Sequence, residues 1–152
     1  MVPISHMRPE RMGKCCPWQV IGIVIVIDSI DHVVLTVRDI DTTVKFYRDV
    51  LGMTPETFAG GRMALKFGAQ KLNLHAAGRE FEPKANAPQP GSADLCFLTS
   101  IPIKAVIRTL HERGILVVQG PISKTGAQGP LCSVYIRDPD RNLIEISNLV
   151  TD

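Results

Sequence analysis

The sequence predicts an α+β fold in which two βαβββ modules form one cupped mixed sheet. Three observations lead there. Short β-branched runs are separated by glycine turns, and each half has one stretch with helical spacing after its first strand. The same order of elements then returns after a proline-rich interval.

Ile30 to Val37 has the Val, Ile and Thr content of a strand. Asp39 to Thr43 supplies capping residues, Val44, Tyr47, Val50 and Leu51 recur at helical spacing, and Gly52 stops the helix. Met53 to Phe58, Arg62 to Phe67 and Gln70 to Ala76 are expected as three strands joined by Ala59-Gly60-Gly61 and Gly68-Ala69. These elements form module 1, about residues 30–77. Pro83, Pro88 and Pro90 make residues 78–91 a crossing linker, with Phe81 to Lys84 placed to cover one side of the cup.

Module 2, about residues 92–150, repeats the order. Ser92 to Thr99 is expected as a strand, and Pro102 opens a helix whose apolar stripe is Val106, Ile107 and Leu110. Ile115 to Gln119, Leu131 to Arg137 and Leu143 to Leu149 complete the strands. Residues Gly120 to Pro130 are expected as a glycine-rich loop on the rim of the cup; they hold Lys124 and Thr125 without the spacing of a phosphate-binding loop. Residues 1–29 are expected to be a poorly ordered arm.

Bulk properties narrow the function. With 45% hydrophobic and 21% charged residues, the 152-residue chain is of ordinary globular composition. A net charge of +2, with no basic stripe interleaved with aromatics, argues against a nucleic-acid partner. The apolar run Val20 to Ile27 is short for a membrane span and ends at Asp28, so no membrane association is expected. Cys15, Cys16, Cys96 and Cys132 lack the spacing of a disulfide framework and are expected as reduced thiols in a cytoplasmic protein. The basic residues Arg8, Arg11 and Lys14 leave a mitochondrial leader as the alternative.

Overlaying the halves exposes the chemistry. An offset of 62 carries His32 onto Asp94, and an offset of 70 carries His75 onto Glu145. Strand alternation sets each of these four apart from apolar residues of the opposite face. Two imidazoles and two carboxylates suit a divalent ion such as Zn, Ni, Co, Mn or Fe(II), with positions left for substrate oxygens. The expected metal ligands are therefore His32, His75, Asp94 and Glu145, with Glu145 also the catalytic base. Against this, a histidine in a strand is commonly structural, Asp94 could cap a turn, and Glu145 could pair with Arg137 or Arg141. His111, beside Glu112 on the second helix, and His6 in the arm carry no such argument.

Asp138-Pro139-Asp140-Arg141-Asn142-Leu143-Ile144-Glu145 resembles the last-strand signature of the vicinal oxygen chelate superfamily, and Ile30 to Val33 with Phe46-Tyr47 and Leu51-Gly52 resembles its opening unit. Lys71 to His75, Gly78 to Ala85 and Gly91 to Cys96 are similar to the glyoxalase domain-containing protein 5 subgroup and to bacterial lactoylglutathione lyase-like proteins. The resemblance covers about residues 30–150. It implies a divalent metal at the four positions above, a small substrate offering two vicinal oxygens, glyoxalase-like lyase or isomerase chemistry, and a homodimer. The family also includes metal-free binding proteins of the bleomycin-resistance type, and such a small-molecule binding protein or a catalytically degenerate homologue is the alternative function. The chain departs from glyoxalase I at His75, usually a carboxylate there, and at Asp94, often histidine, so one of the two acid/base carboxylates used with glutathione is missing.

Overall fold

The computed structural model describes residues 24–151; residues 1–23, including most of the expected arm, Cys15 and Cys16, lie outside the described residues. Module 1 consists of β1 (His32–Val37), α1 (Ile40–Leu51), β2 (Thr54–Phe58), β3 (Arg62–Phe67) and β4 (Gln70–Ala76). Module 2 consists of β5 (Asp94–Leu98), α2 (Ile103–Glu112), β6 (Gln119–Gly126), β7 (Gly129–Arg137) and β8 (Leu143–Leu149). The sheets have the equivalent orders β1-β4-β3-β2 and β5-β8-β7-β6, and in each the first strand runs parallel to the last. The two βαβββ modules expected from the repeat are present, and each forms its own four-stranded mixed sheet.

Local chemistry explains the elements. Asp39 caps α1 by accepting from the Thr42 N–H at 2.7 Å, and Gly52 ends it at φ 68°. Pro102 precedes α2, whose first N–H, on Ile103, donates to the Asn148 side chain at 2.8 Å. The cap of the second helix therefore comes from β8 rather than from its own sequence.

One expected element is corrected. Residues 120–130 are not a loop: β6 occupies Gln119–Gly126, forming a hairpin with β7, and Ile115 to Val118 is not a strand. β6 is an edge strand with largely exposed side chains, so it needs no apolar alternation. A register irregularity between Gln119 and Ile122 accommodates Pro121, where a missing N–H breaks no regular pairing.

The helix-facing sides of both sheets share one core. Leu35, Val37, Leu65, Leu72 and Leu74 from module 1 join Val134, Ile136, Ile144 and Ile146 from module 2 in a single cluster. Phe67 meets Phe97 edge to face, with ring centroids 5.1 Å apart, across the module boundary.

The turn between β7 and β8 ties the modules together. Asp138 is buried, and its carboxylate accepts from the N–H groups of Asp140 and Asn142 at 2.9 and 2.8 Å. It also accepts from the Asn142 amide at 2.7 Å and from the Tyr47 hydroxyl of α1 at 3.0 Å. Asp140 pairs with Arg38 at 2.9 Å, and the Asn142 side chain accepts from Ala93 N–H at 2.9 Å. Gly91, at φ 78°, passes so close that a Cβ would lie 2.5 Å from the Asp140 carbonyl oxygen. Asp138→Ala would leave several buried donors unpaired and should cost at least about 3 kcal/mol, whereas Tyr47→Phe should cost about 1 kcal/mol. Urea unfolding checks both; an Asp138→Ala loss within about 0.5 kcal/mol of wild type would contradict the role of the turn.

Candidate functional site

In each sheet the face away from the helices carries the polar residues. On sheet 2 this outer face holds Asp94 and Cys96 of β5, Glu145 and Ser147 of β8, and Ser133 and Tyr135 of β7. The register sets Glu145 between Cys96 on one side and Tyr135 on the other. The Ser147 hydroxyl donates to Glu145 Oε1 at 3.2 Å and lies 2.8 Å from the buried Ser133 hydroxyl. Glu145 is thus oriented by a short hydroxyl chain, and it pairs with neither Arg137 nor Arg141; the Arg137 guanidinium donates instead to the Arg141 carbonyl.

Burial, followed by the hydrogen bond and charge of Glu145, pushes the Tyr135 phenol up to about 12. Burial likewise raises the Cys96 thiol, whose sulfur lies 3.4 Å from the Ser147 hydroxyl. Lys124, on β6, stands with its ammonium 5.5 Å from the Tyr135 ring centroid. Together with Cys96 and Glu145 it lines a cavity of about 320 Å³. The segment expected as a rim loop is therefore an edge strand bordering this outer face.

On sheet 1 the outer face holds His32, Val34 and Thr36 of β1 beside Lys71, Asn73 and His75 of β4. His32 opens β1 with its side chain 45% exposed. Its Nδ1 lies 2.6 Å from Asp31 Oδ1, and this contact, before any other cause, holds the Asp31 carboxyl below its ordinary value. A carboxylate on Nδ1 fixes the imidazole and leaves Nε2 as the nitrogen available to a ligand, the arrangement that prepares a histidine to bind a metal.

His75 sits elsewhere. It is the register partner of Thr36, four residues along from the level of His32, a rise of about 13 Å. Burial and then the charge of Arg62 hold its imidazole below the ordinary histidine value. The two sheets do not match at the spacing the overlay suggests. In sheet 2, Glu145 lies beside the residue two past Asp94; in sheet 1, the residue beside the one two past His32 is Asn73, paired with Val34. Asn73, not His75, is the register counterpart of Glu145. Its Oδ1 is buried and has no hydrogen-bond partner among the described residues. Sequence reasoning missed both Asn73 and Asp31. An asparagine two positions before a histidine gives no signal without the register, whereas Asp31 could have been noticed as an acid adjoining a ligand candidate.

The four expected ligands thus divide between two faces. Asp94 and Glu145 share sheet 2, and His32 and His75 share sheet 1. No hydrogen bond or ion pair among the described residues joins the two sets. Nor do any three His, Cys, Asp or Glu side chains among the described residues gather closely enough within one chain to hold an ion. With the helix faces turned to a common core, the two outer faces point away from it and each carries its own set of polar residues.

Known proteins share this architecture. The sequence profile described as the Glyoxalase/Bleomycin resistance protein/Dioxygenase superfamily matches residues 29–146. The chain is 59% identical over 129 residues to a Salmonella typhimurium protein named Virulence protein STM3117, covering 85% of this chain and 90% of that one. The crystal structure of that relative superposes with a TM-score of 0.82, covering 83% of this chain and all of the other. Identity is 50% over 145 residues to the glyoxalase domain-containing protein RDO1 of Mycosarcoma maydis, over 95% of this chain and 81% of that one. A lactoylglutathione lyase structure from Agrobacterium tumefaciens matches at 27% identity and a TM-score of 0.61, over 79% and 92% of the two chains.

Tyr47 and Tyr135 are the only tyrosines in the sequence, and both phenols are held above their ordinary value of 10.0. The folded chain keeps phenolic protons that the unfolded chain loses, so stability should fall as pH rises above about 10. Absorbance at 295 nm should show no tyrosinate in the folded protein at pH 10, with Tyr135 ionising near 12 or on unfolding. A full one-tyrosine step centred near pH 10 would contradict the placement of both phenols beside carboxylates.

Proposed function

We propose that this chain, which belongs to the Glyoxalase/Bleomycin resistance protein/Dioxygenase superfamily, is a metal-dependent glyoxalase-like enzyme whose cup is completed by a second copy of itself. The observation carrying this reading is the division of its ligand candidates between two outer faces. His32 and the unpartnered Asn73 oxygen lie on one face, with Asp94 and Glu145 on the other. Facing module 1 of one protomer with module 2 of its partner would bring a nitrogen, an amide oxygen and two carboxylates together.

The residues fit a divalent ion. Asp31 has already oriented His32, and the Asn73 oxygen is a buried acceptor without a donor, a group that a cation would satisfy. The donor set of one imidazole with oxygens suits Zn, Ni, Co, Mn or Fe(II). When bound, the ion would polarise two adjacent substrate oxygens and stabilise the negative charge that develops on them.

The chain's own groups do the rest. Glu145, held by Ser147, takes a proton from the carbon next to the polarised oxygen and returns it. Tyr135, kept protonated beside that carboxylate, offers its O–H to oxygen as charge develops. Lys124 borders the same cavity and favours an electron-rich substrate. The substrate class is a small molecule with vicinal oxygens, and the reaction is of the isomerase or lyase kind. His75 stands apart from this set by the register, so its role as a ligand and that of Asn73 are separated by experiment.

Metal analysis of the purified protein should find about one ion per chain in a dimer. His32→Ala, Asp94→Ala and Glu145→Ala should each lose at least about tenfold in metal affinity, and Asn73→Leu should weaken it, while His75→Ala should retain it. Equal, negligible metal in wild type and variants would defeat the reading. So would full metal content in a protein that sediments as a monomer.

A further inference from the structure

The outer face of sheet 2 holds a hydrogen-bond network that the proposed chemistry uses only at its last member, Glu145. Ser133 and Ser147 are register partners on β7 and β8, and both are 0% exposed. Their hydroxyl protons must therefore find partners inside the protein. Three groups surround the Ser147 oxygen: Glu145 Oε1 at 3.2 Å, the Ser133 hydroxyl at 2.8 Å and Cys96 Sγ at 3.4 Å. Cys96 reaches it from β5, where it is the register partner of Glu145.

Proton counting gives this network one direction. A hydroxyl has one proton to donate and two lone pairs that accept, whereas an ionised carboxylate only accepts. The Ser147 proton therefore belongs to Glu145, and Ser133 and Cys96 are the donors in the other two contacts. Together they fill both lone pairs of Ser147. If Ser147 donated to Ser133 instead, the Ser133 proton would be buried with no acceptor among the described residues. Glu145 would lose its hydroxyl donor in the same exchange, so the reverse direction is costly twice over.

We propose that Cys96 and Ser133 are positioning residues for Glu145. By donating into Ser147 they commit its proton to Oε1, so Glu145 presents Oε2 alone to the ion or the substrate. The proposal deepens the reading of Glu145 as ligand and base, and rests on it. Neither residue touches the reacting atoms; both act through Ser147. A carboxylate tied by one oxygen has its other oxygen aimed in advance, which is how outer partners strengthen a ligand.

The test has one arm without metal and one with it. Infrared spectra of the full-length, metal-free protein, taken as the difference from Cys96→Ala, isolate the Cys96 S–H stretch. The band is expected below the frequency of a free thiol and should return to that frequency in Ser147→Ala. The second arm measures Zn affinity by competition with a chelator. Cys96→Ala, Ser133→Ala and Ser147→Ala should each bind about tenfold more weakly than wild type. Cys96→Ser, which keeps a donor at that position, should bind like wild type. A packing role for the sulfur predicts equal losses in Cys96→Ala and Cys96→Ser, because each removes it, and that result would overturn the proposal. So would wild-type affinity in Cys96→Ala, or an S–H band that Ser147→Ala leaves unmoved. A wild type that holds no Zn while its S–H band still shifts in Ser147→Ala would defeat the metal reading and leave the anchoring of Glu145 standing.

Discussion

The structure turns on one carboxylate. Asp138 sits in the β7–β8 turn, out of water, and satisfies two backbone N–H groups, the Asn142 amide and the Tyr47 hydroxyl of the other module. A buried carboxylate with fewer donors would be costly to desolvate, and buried donors without the carboxylate would be left unpaired. The turn therefore holds together as a unit. Its neighbours Asp140 and Asn142 extend the clamp to Arg38 and Ala93, so the end of β1, the body of α1 and the start of β5 all depend on this short stretch.

That clamp decides what the molecule presents to its surroundings. By fixing α1 against the β7–β8 turn it turns the apolar faces of both sheets toward one core. The polar faces are left outside, one carrying His32 and Asn73, the other Asp94 and Glu145. Val34 and Leu98, exposed apolar residues on those outer faces, are consistent with surfaces that another copy covers. The same constraint brings the linker back across the end of sheet 1, where Phe81 seats it over His75. Stability and the division of the site thus have one origin.

Much of this was legible in the sequence, for local reasons. Asp39 and Gly52 announce the limits of α1, three prolines announce the linker, and the glycine turns separate β2, β3 and β4. The repeat was legible because both modules open their first strand with a polar ligand type. What failed needed distant information. β6 is stabilised by backbone pairing with β7 and has a polar composition suited to an edge, so it looked like a loop. The overlay matched His75 to Glu145 by sequence, but the strand register assigns Glu145's place to Asn73, whose significance is an unpaired oxygen rather than a residue type. Tyr47 looked like one more apolar position of a helix; its hydroxyl partner lies 91 residues away.

The central claim is that two chains each supply half of the metal cup, and subunit mixing tests it most directly. His32→Ala and Glu145→Ala proteins are each expected to be metal-free, because every cup in either dimer lacks one donor. Unfolded together and refolded, half of the dimers would be mixed, and each mixed dimer would contain one intact cup. Metal content should then return to about a quarter of the wild-type value. If the mixture stays as empty as its parents while mixed dimers are demonstrably present, the cup does not span two chains.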